Sequence, residues 1–67
     1  MLAGDINSYW IGKNVLIEYG NAAGLNMQRE GKISMITIKK NRRVIIRLSN
    51  QVQVECSPID IITEIPE

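Results

Sequence analysis

Hydrophobic positions in this chain alternate with polar ones in short runs, rather than recurring every third or fourth residue. Val15, Ile17 and Tyr19 alternate with Leu16 and Glu18. Val44, Ile46 and Leu48 alternate with Ile45 and Arg47, and Val52, Val54 and Cys56 with Gln53 and Glu55. A period of two is the mark of a half-buried strand, because successive side chains point to opposite faces. Lys32 to Ile38 predicts a further strand with a break in phase. Ile33 and Met35 share one face while Ile36 and Ile38 share the other, so a bulge or strong bend is expected between Met35 and Ile36. Ile61 to Ile65 predicts a short closing strand, ended by Pro66.

The segments between these runs carry turn chemistry. Residues 20–31, GNAAGLNMQREG, hold three glycines and two asparagines and predict a loop with glycines at positive φ. Ala22, Leu25 and Met27 are expected to tuck that loop back onto the body. Lys39-Lys40-Asn41-Arg42-Arg43 predicts a polar hairpin connection, Ser49-Asn50-Gln51 a tight turn, and Gly12-Lys13-Asn14 a turn into the first strand. Ser57-Pro58-Ile59-Asp60 predicts one 3₁₀ turn, with proline at its first position and Asp60 bracing it. Only residues 2–10 depart from the β pattern. Leu2, Ile6 and Tyr9/Trp10 recur at helical spacing and Asp5 can cap a turn, which predicts a short helix or an irregular arm over one end of the fold.

Composition strengthens the β reading. Twelve isoleucines and four valines make up almost a quarter of the 67 residues. β-branched side chains suit a pleated surface and lose rotamer freedom in a helix. The predicted fold class is all-β: one small five-stranded SH3-like or Sm-like barrel over residues 1–67, with 1–11 as the arm or short helix and 12–65 as the barrel. A chain this short has room for one core and no second domain.

The same composition removes several chemistries. There is no histidine and one cysteine, so His-based triads, His/Cys zinc sites and an intrachain disulfide are excluded. No GxxxxGK[ST] or GxGxxG pattern occurs, and the carboxylates show no paired spacing suited to hydrolysis or metal binding. The chain therefore reads as a non-enzyme without cofactor or metal. Its longest strictly aliphatic runs are the triplets Val15-Leu16-Ile17 and Val44-Ile45-Ile46, far from the ~20 apolar residues of a membrane helix. The start Met-Leu-Ala-Gly-Asp lacks the pattern of a signal peptide. A cytoplasmic location is expected, with no membrane partner. Cys56 shares parity with Val52 and Val54 and is expected to be a buried, inert thiol.

Charge changes the picture more than its total of +1 implies. Residues 28–47 carry seven basic and one acidic side chain, a net +6, while the remainder carries Lys13 against six acids, a net −5. Lys39, Lys40, Arg42 and Arg43 crowd into five positions, with Arg47 one strand on. Clustered Lys and Arg release counterions on meeting nucleic acid, so these five are the candidate phosphate-contacting residues. The competing reading is a solvated hairpin tip whose charges protect strand edges. Tyr9 and Trp10 are the candidate stacking residues if exposed; the competing role for Trp10 is to fill the core or cover its open end.

Segment 12–65 resembles a KOW-type SH3 barrel, as in the C-terminal domain of NusG-family transcription factors. The resemblance runs through Gly12-Lys13-x-Val15-x-Ile17, Gly20-x-x-x-Gly24, Gly31-Lys32-Ile33, the basic hairpin and Ile61-Ile62. The stretch from Gly24 to Gly31 is longer than the usual KOW loop. The segment is also similar to the Veg family of small bacterial proteins, through Ile11-Gly12-Lys13, Gln28-Arg29-Glu30-Gly31-Lys32-Ile33 and Ser57-Pro58-Ile59-Asp60-Ile61-Ile62-Thr63-Glu64. These resemblances imply a small barrel that works by binding. The expected function is a binding module that contacts RNA or DNA weakly and without sequence preference, or the transcription or translation machinery, through the basic hairpin. The alternative is a protein–protein adaptor or structural subunit that forms homo-oligomers through strand edges.

Overall fold

The computed structural model describes residues 1–20 and 23–66. Five antiparallel strands form one sheet in the order β4-β3-β2-β1-β5. They are β1 (Asn14–Gly20), β2 (Asn26–Ile38), β3 (Val44–Leu48), β4 (Gln53–Cys56) and β5 (Ile61–Glu64). The all-β class read from the alternation is correct, and each predicted strand is present.

The alternation also identifies the core. Val15 and Ile17 of β1, Val44, Ile46 and Leu48 of β3, Val54 and Cys56 of β4 and Ile62 of β5 are all buried, joined by Ile33, Ala3 and Ile6. Trp10, Tyr19, Ile36 and Val52 pack against them while partly exposed.

Strand β2 is the largest correction. The segment expected to be a loop is mostly strand: Asn26 to Lys32 pairs with β1 residue for residue, from Gly20↔Asn26 to Asn14↔Lys32. The glycine-rich composition misleads because Gly31 is a close-approach glycine and not a turn. It lies opposite Val15, and a Cβ there would sit 3.2 Å from a Leu48 methyl. Its missing side chain makes room for the neighbouring strand. Gly24, at φ +79°, does serve the turn. Leu25 is 63% exposed and does not tuck inward, Met27 is half-buried within β2, and Ala22 lies outside the described residues.

The break in phase is real but falls earlier than predicted. Ile33 pairs with Leu48 and Met35 with Arg47, so Ser34 is the extra residue of a bulge. Ile33 and Ile36 thus both face inward, while Met35 is 50% exposed. Ser34 Oγ donates to the Arg47 carbonyl at 3.0 Å, which gives the bulged residue a fixed partner. On one side of the bulge β2 pairs with β1, and on the other with β3.

No α-helix forms over residues 2–10. Two 3₁₀ turns, Ala3–Asp5 and Ser8–Trp10, replace it. Asp5 caps neither. The second is capped by Asn7, whose Oδ1 accepts from the Tyr9 N–H at 2.9 Å. The helical spacing fails because the backbone of this arm is committed elsewhere. Ala3 N–H donates to the Asp60 carbonyl at 2.7 Å, Gly4 N–H to Pro58 at 2.9 Å, and Ile62 N–H to Met1 at 2.8 Å. The arm therefore lies along the outer side of β5, bridging at Leu2↔Ile61. Ser57 to Asp60 forms a hydrogen-bonded turn rather than a 3₁₀ helix, with Asp60 Oδ2 accepting from the Ser57 N–H at 2.7 Å as a brace.

Both hairpin turns flanking β3 use one device. Asn41 Oδ1 accepts from the Arg43 N–H and Asn50 Oδ1 from the Val52 N–H, each at 3.1 Å. The residue after each asparagine is left-handed, Arg42 at φ 68° and Gln51 at φ 69°. For a non-glycine residue that conformation costs roughly 1–2 kcal/mol. Gln51→Gly is therefore expected to stabilise the protein by about 1 kcal/mol, which at this size raises the melting temperature by roughly 4–8 °C. An unchanged or lower melting temperature would disprove the strain argument.

Candidate nucleic-acid interface

The basic hairpin lies between β2 and β3, where the Lys39 N–H donates to the Arg43 carbonyl at 2.9 Å and closes the turn. Cross-strand pairing sets its surroundings. Thr37, Ile45 and Glu55 form one row across β2, β3 and β4, and Met35, Arg47 and Gln53 form the next. By the period of two, Arg43, Ile45 and Arg47 share the outer face of β3, opposite the buried Val44, Ile46 and Leu48.

Glu55 ties part of this cluster together. Its Oε1 accepts from Lys39 Nζ at 2.8 Å, and its Oε2 lies 3.4 Å from Arg43 Nε. The four hairpin cations less this carboxylate leave a local charge of +3. Lys40 and Arg42 have no acidic side chain within ion-pair distance among the described residues. Arg47 Nη2 donates to the neutral Gln53 Oε1 at 3.4 Å and keeps its full charge. The hairpin candidates thus divide into Lys39 and Arg43, held by Glu55, and Lys40, Arg42 and Arg47, which form no ion pair among the described residues.

The hydrogen bond and charge of Lys39 hold the Glu55 carboxyl below its ordinary 4.5, with Arg43 adding in the same direction. A carboxylate whose acidity is strengthened by folding stabilises the native state above its unfolded value. That contribution disappears as pH falls through the native value. Melting temperatures are expected to decline on acidification below about pH 4.5, less steeply for Glu55→Gln than for the unaltered protein. Salt at about 1 M should shrink the difference, because the pair is exposed. Parallel acid profiles for the two proteins would contradict this account.

The other predicted residues do not join the hairpin. Tyr9 is 71% exposed, but its ring carries Lys13 Nζ at 4.5 Å from the centroid, and Lys13 also lies 4.0 Å from Glu64. Trp10 is half-buried against the core, so the pair is not a two-ring platform. Arg29 sits opposite Ile17 on the other half of β2, ten residues before Lys39 and so roughly 30 Å of chain away. Of the net +6 of residues 28–47, Arg29, Glu30 and Lys32 leave +1 on the half of β2 paired with β1, and the other +5 lies on the hairpin and β3.

Cys56 is fully buried, as its parity implied. Burial first, and the Asp60 carboxylate second, push its thiol up to about 12. Among the described residues no group of three or more Cys, Asp or Glu side chains is placed to hold a metal ion, and no helix is long and apolar enough to cross a membrane.

Glu55 is the residue of this cluster that the charge count along the chain leaves in the acidic remainder. The two Asn-containing turns hold the signal that would find it. Once each is read as a five-residue hairpin closure, the register places Glu55 beside Ile45, within side-chain reach of the β2–β3 turn. Comparison with protein-family models, with curated proteins and with solved structures finds no match to this chain.

Proposed function

We propose that this chain is a non-enzymatic binding module on an SH3-like barrel, which contacts the phosphate backbone of RNA or DNA through the β2–β3 hairpin. The observation that carries the reading is the division of the hairpin cations. Glu55 braces Lys39 and Arg43, while Lys40 and Arg42 at the turn and Arg47 on the outer face of β3 are left without acidic partners. A hydrogen-bonded turn with unpaired cations suits a repeating anion, since phosphate contacts position a protein without reading sequence. The resemblance to KOW-type barrels favours the same assignment. With neither Tyr9 nor Trp10 beside the hairpin, binding is weak and tolerant of sequence.

The adaptor reading has one specific observation in its favour: β4 pairs with β3 on one side only. Its four-residue length and the charge of Glu55 are features by which edge strands resist pairing. The test is titration of mixed-sequence single-stranded RNA and of duplex DNA at a series of salt concentrations. Affinity is expected to fall steeply with salt, each phosphate contact contributing a slope of roughly 0.7–0.9 on logarithmic axes. No binding at the lowest salt would remove the nucleic-acid reading and leave the adaptor reading in its place.

A further inference from the structure

The turn that carries Arg42 also walls a second feature, a groove that shares Arg42 with the basic patch but neither Lys40 nor Arg47. A groove of about 450 Å³ lies between the hairpin, the N-terminal arm and the turn before β5. The hairpin supplies Ile38 and Arg42, the arm Leu2 and Asp5, and the turn Pro58 and Ile59. Three of its aliphatic side chains are strongly exposed: Leu2 at 45%, Ile38 at 60% and Ile59 at 75%. Exposed aliphatics gathered around one depression mark an interaction surface, whereas scattered ones need no explanation.

Its charges restrict the occupant. Arg42 stands on the hairpin wall and Asp5 on the arm wall, and neither forms an ion pair among the described residues. A polyanion would match Arg42 but would set its charge against Asp5 and leave the aliphatics uncovered. A partner bearing one sign only would leave the other charge unmatched. A two-fold axis satisfies both, since in such an interface residue i meets j and j meets i.

We propose that this groove is the contact surface for a second copy of the chain, with Leu2, Ile38 and Ile59 packing against their equivalents and Arg42 facing Asp5 of the partner subunit. A standard interface covers about 800 Å² per partner, roughly a fifth of the 4532 Å² surface of this protein. The groove can supply the apolar centre of such an interface.

Sedimentation equilibrium from micromolar to near-millimolar protein tests the proposal, with circular dichroism to verify folding. A reversible monomer–dimer equilibrium is expected. Arg42→Glu and Asp5→Lys place like charges together and should each weaken it by about tenfold or more, while the double variant restores it to within about threefold. Ile59→Asp, at an exposed position, should abolish the dimer without unfolding the chain. A monomer throughout the range overturns the proposal. So does a dimer indifferent to these substitutions, which would place the contact elsewhere, such as the open edge of β4.

Discussion

Replacing Cys56 with aspartate is expected to abolish folding at neutral pH. Cys56 is fully buried between the β3–β4 hairpin and the turn braced by Asp60, and its inward neighbours are Val44 and Val54. An aspartate there would bring an unpaired carboxylate into an apolar site, next to the existing acid at Asp60. Removing one partner of a buried ion pair costs about 3–5 kcal/mol because it strands a charge, and a stranded carboxylate is the same liability. A single core in a chain under ~70 residues rarely supplies more than 3–5 kcal/mol of net stability. The two quantities are equal within their spread, so the variant loses its β spectrum and its amide dispersion. Cys56→Ala, which removes one apolar atom and adds no charge, should cost only about 1 kcal/mol and remain folded.

The native thiol gives a second readout of the same burial. With its pKa pushed up from 9.0 to about 12, the thiolate fraction at pH 8 falls by about a thousandfold. Reaction with thiol reagents should therefore be limited by unfolding and accelerate in step with added denaturant. The pH dependence has a definite sign. The native thiol stays protonated where the unfolded one ionises, so this contribution to stability is complete below about pH 9 and is lost as pH rises toward 12. Prompt labelling of the folded protein would place Cys56 on the surface and shift the register of β4 by one residue.

What the sequence made legible follows from what fixes each element. Strand faces are set by burial with period two, and the parities of Val15, Ile17, Val44, Ile46, Val54 and Cys56 were readable because a one-residue slip would turn each of them to water. The first half of β2 was not readable. Gln28, Arg29 and Glu30 carry no apolar alternation, and Gly31 marks contact with Leu48, a residue seventeen positions away. Its strand character comes from pairing with β1, a tertiary effect that local propensity does not contain. The helix alternative for residues 2–10 failed for a related reason, while the irregular arm is what forms. Its backbone hydrogen bonds go to Pro58, Asp60 and Ile62, so Leu2 lies along β5, Ile6 enters the core and Tyr9 faces solvent instead of sharing one helical face. Charge clustering was visible in the chain, whereas its sharing with Glu55 depended on the register of two hairpins. The sequence arithmetic therefore overstates the free charge of the hairpin.

That sharing leads to a result opposite in sign to the usual charge-removal experiment. Glu55→Gln is expected to strengthen nucleic-acid binding. The substitution keeps the side-chain shape and releases both Lys39 and Arg43, which Glu55 holds at 2.8 and 3.4 Å. If both then reach phosphates, the salt slope increases by up to about 1.4–1.8. Lys40→Gln with Arg47→Gln should lower the slope by a similar amount, and neither residue lines the apolar groove. Stability should change little in either direction, because solvent screens exposed ion pairs and holding the side chains in place offsets much of their attraction. The control is Glu18→Gln on β1, an exposed carboxylate that pairs across the sheet with Gln28 and Ile61. It makes the same change in net charge away from the hairpin. A gain specific to Glu55→Gln identifies the β2–β3 turn as the contact surface, since net charge alone would act equally at both positions. Equal gains at Glu18 and Glu55 would mean that the attraction is diffuse and that the hairpin has no privileged role. No gain at either, with Lys40 and Arg47 also dispensable, would place the nucleic-acid contact outside this face.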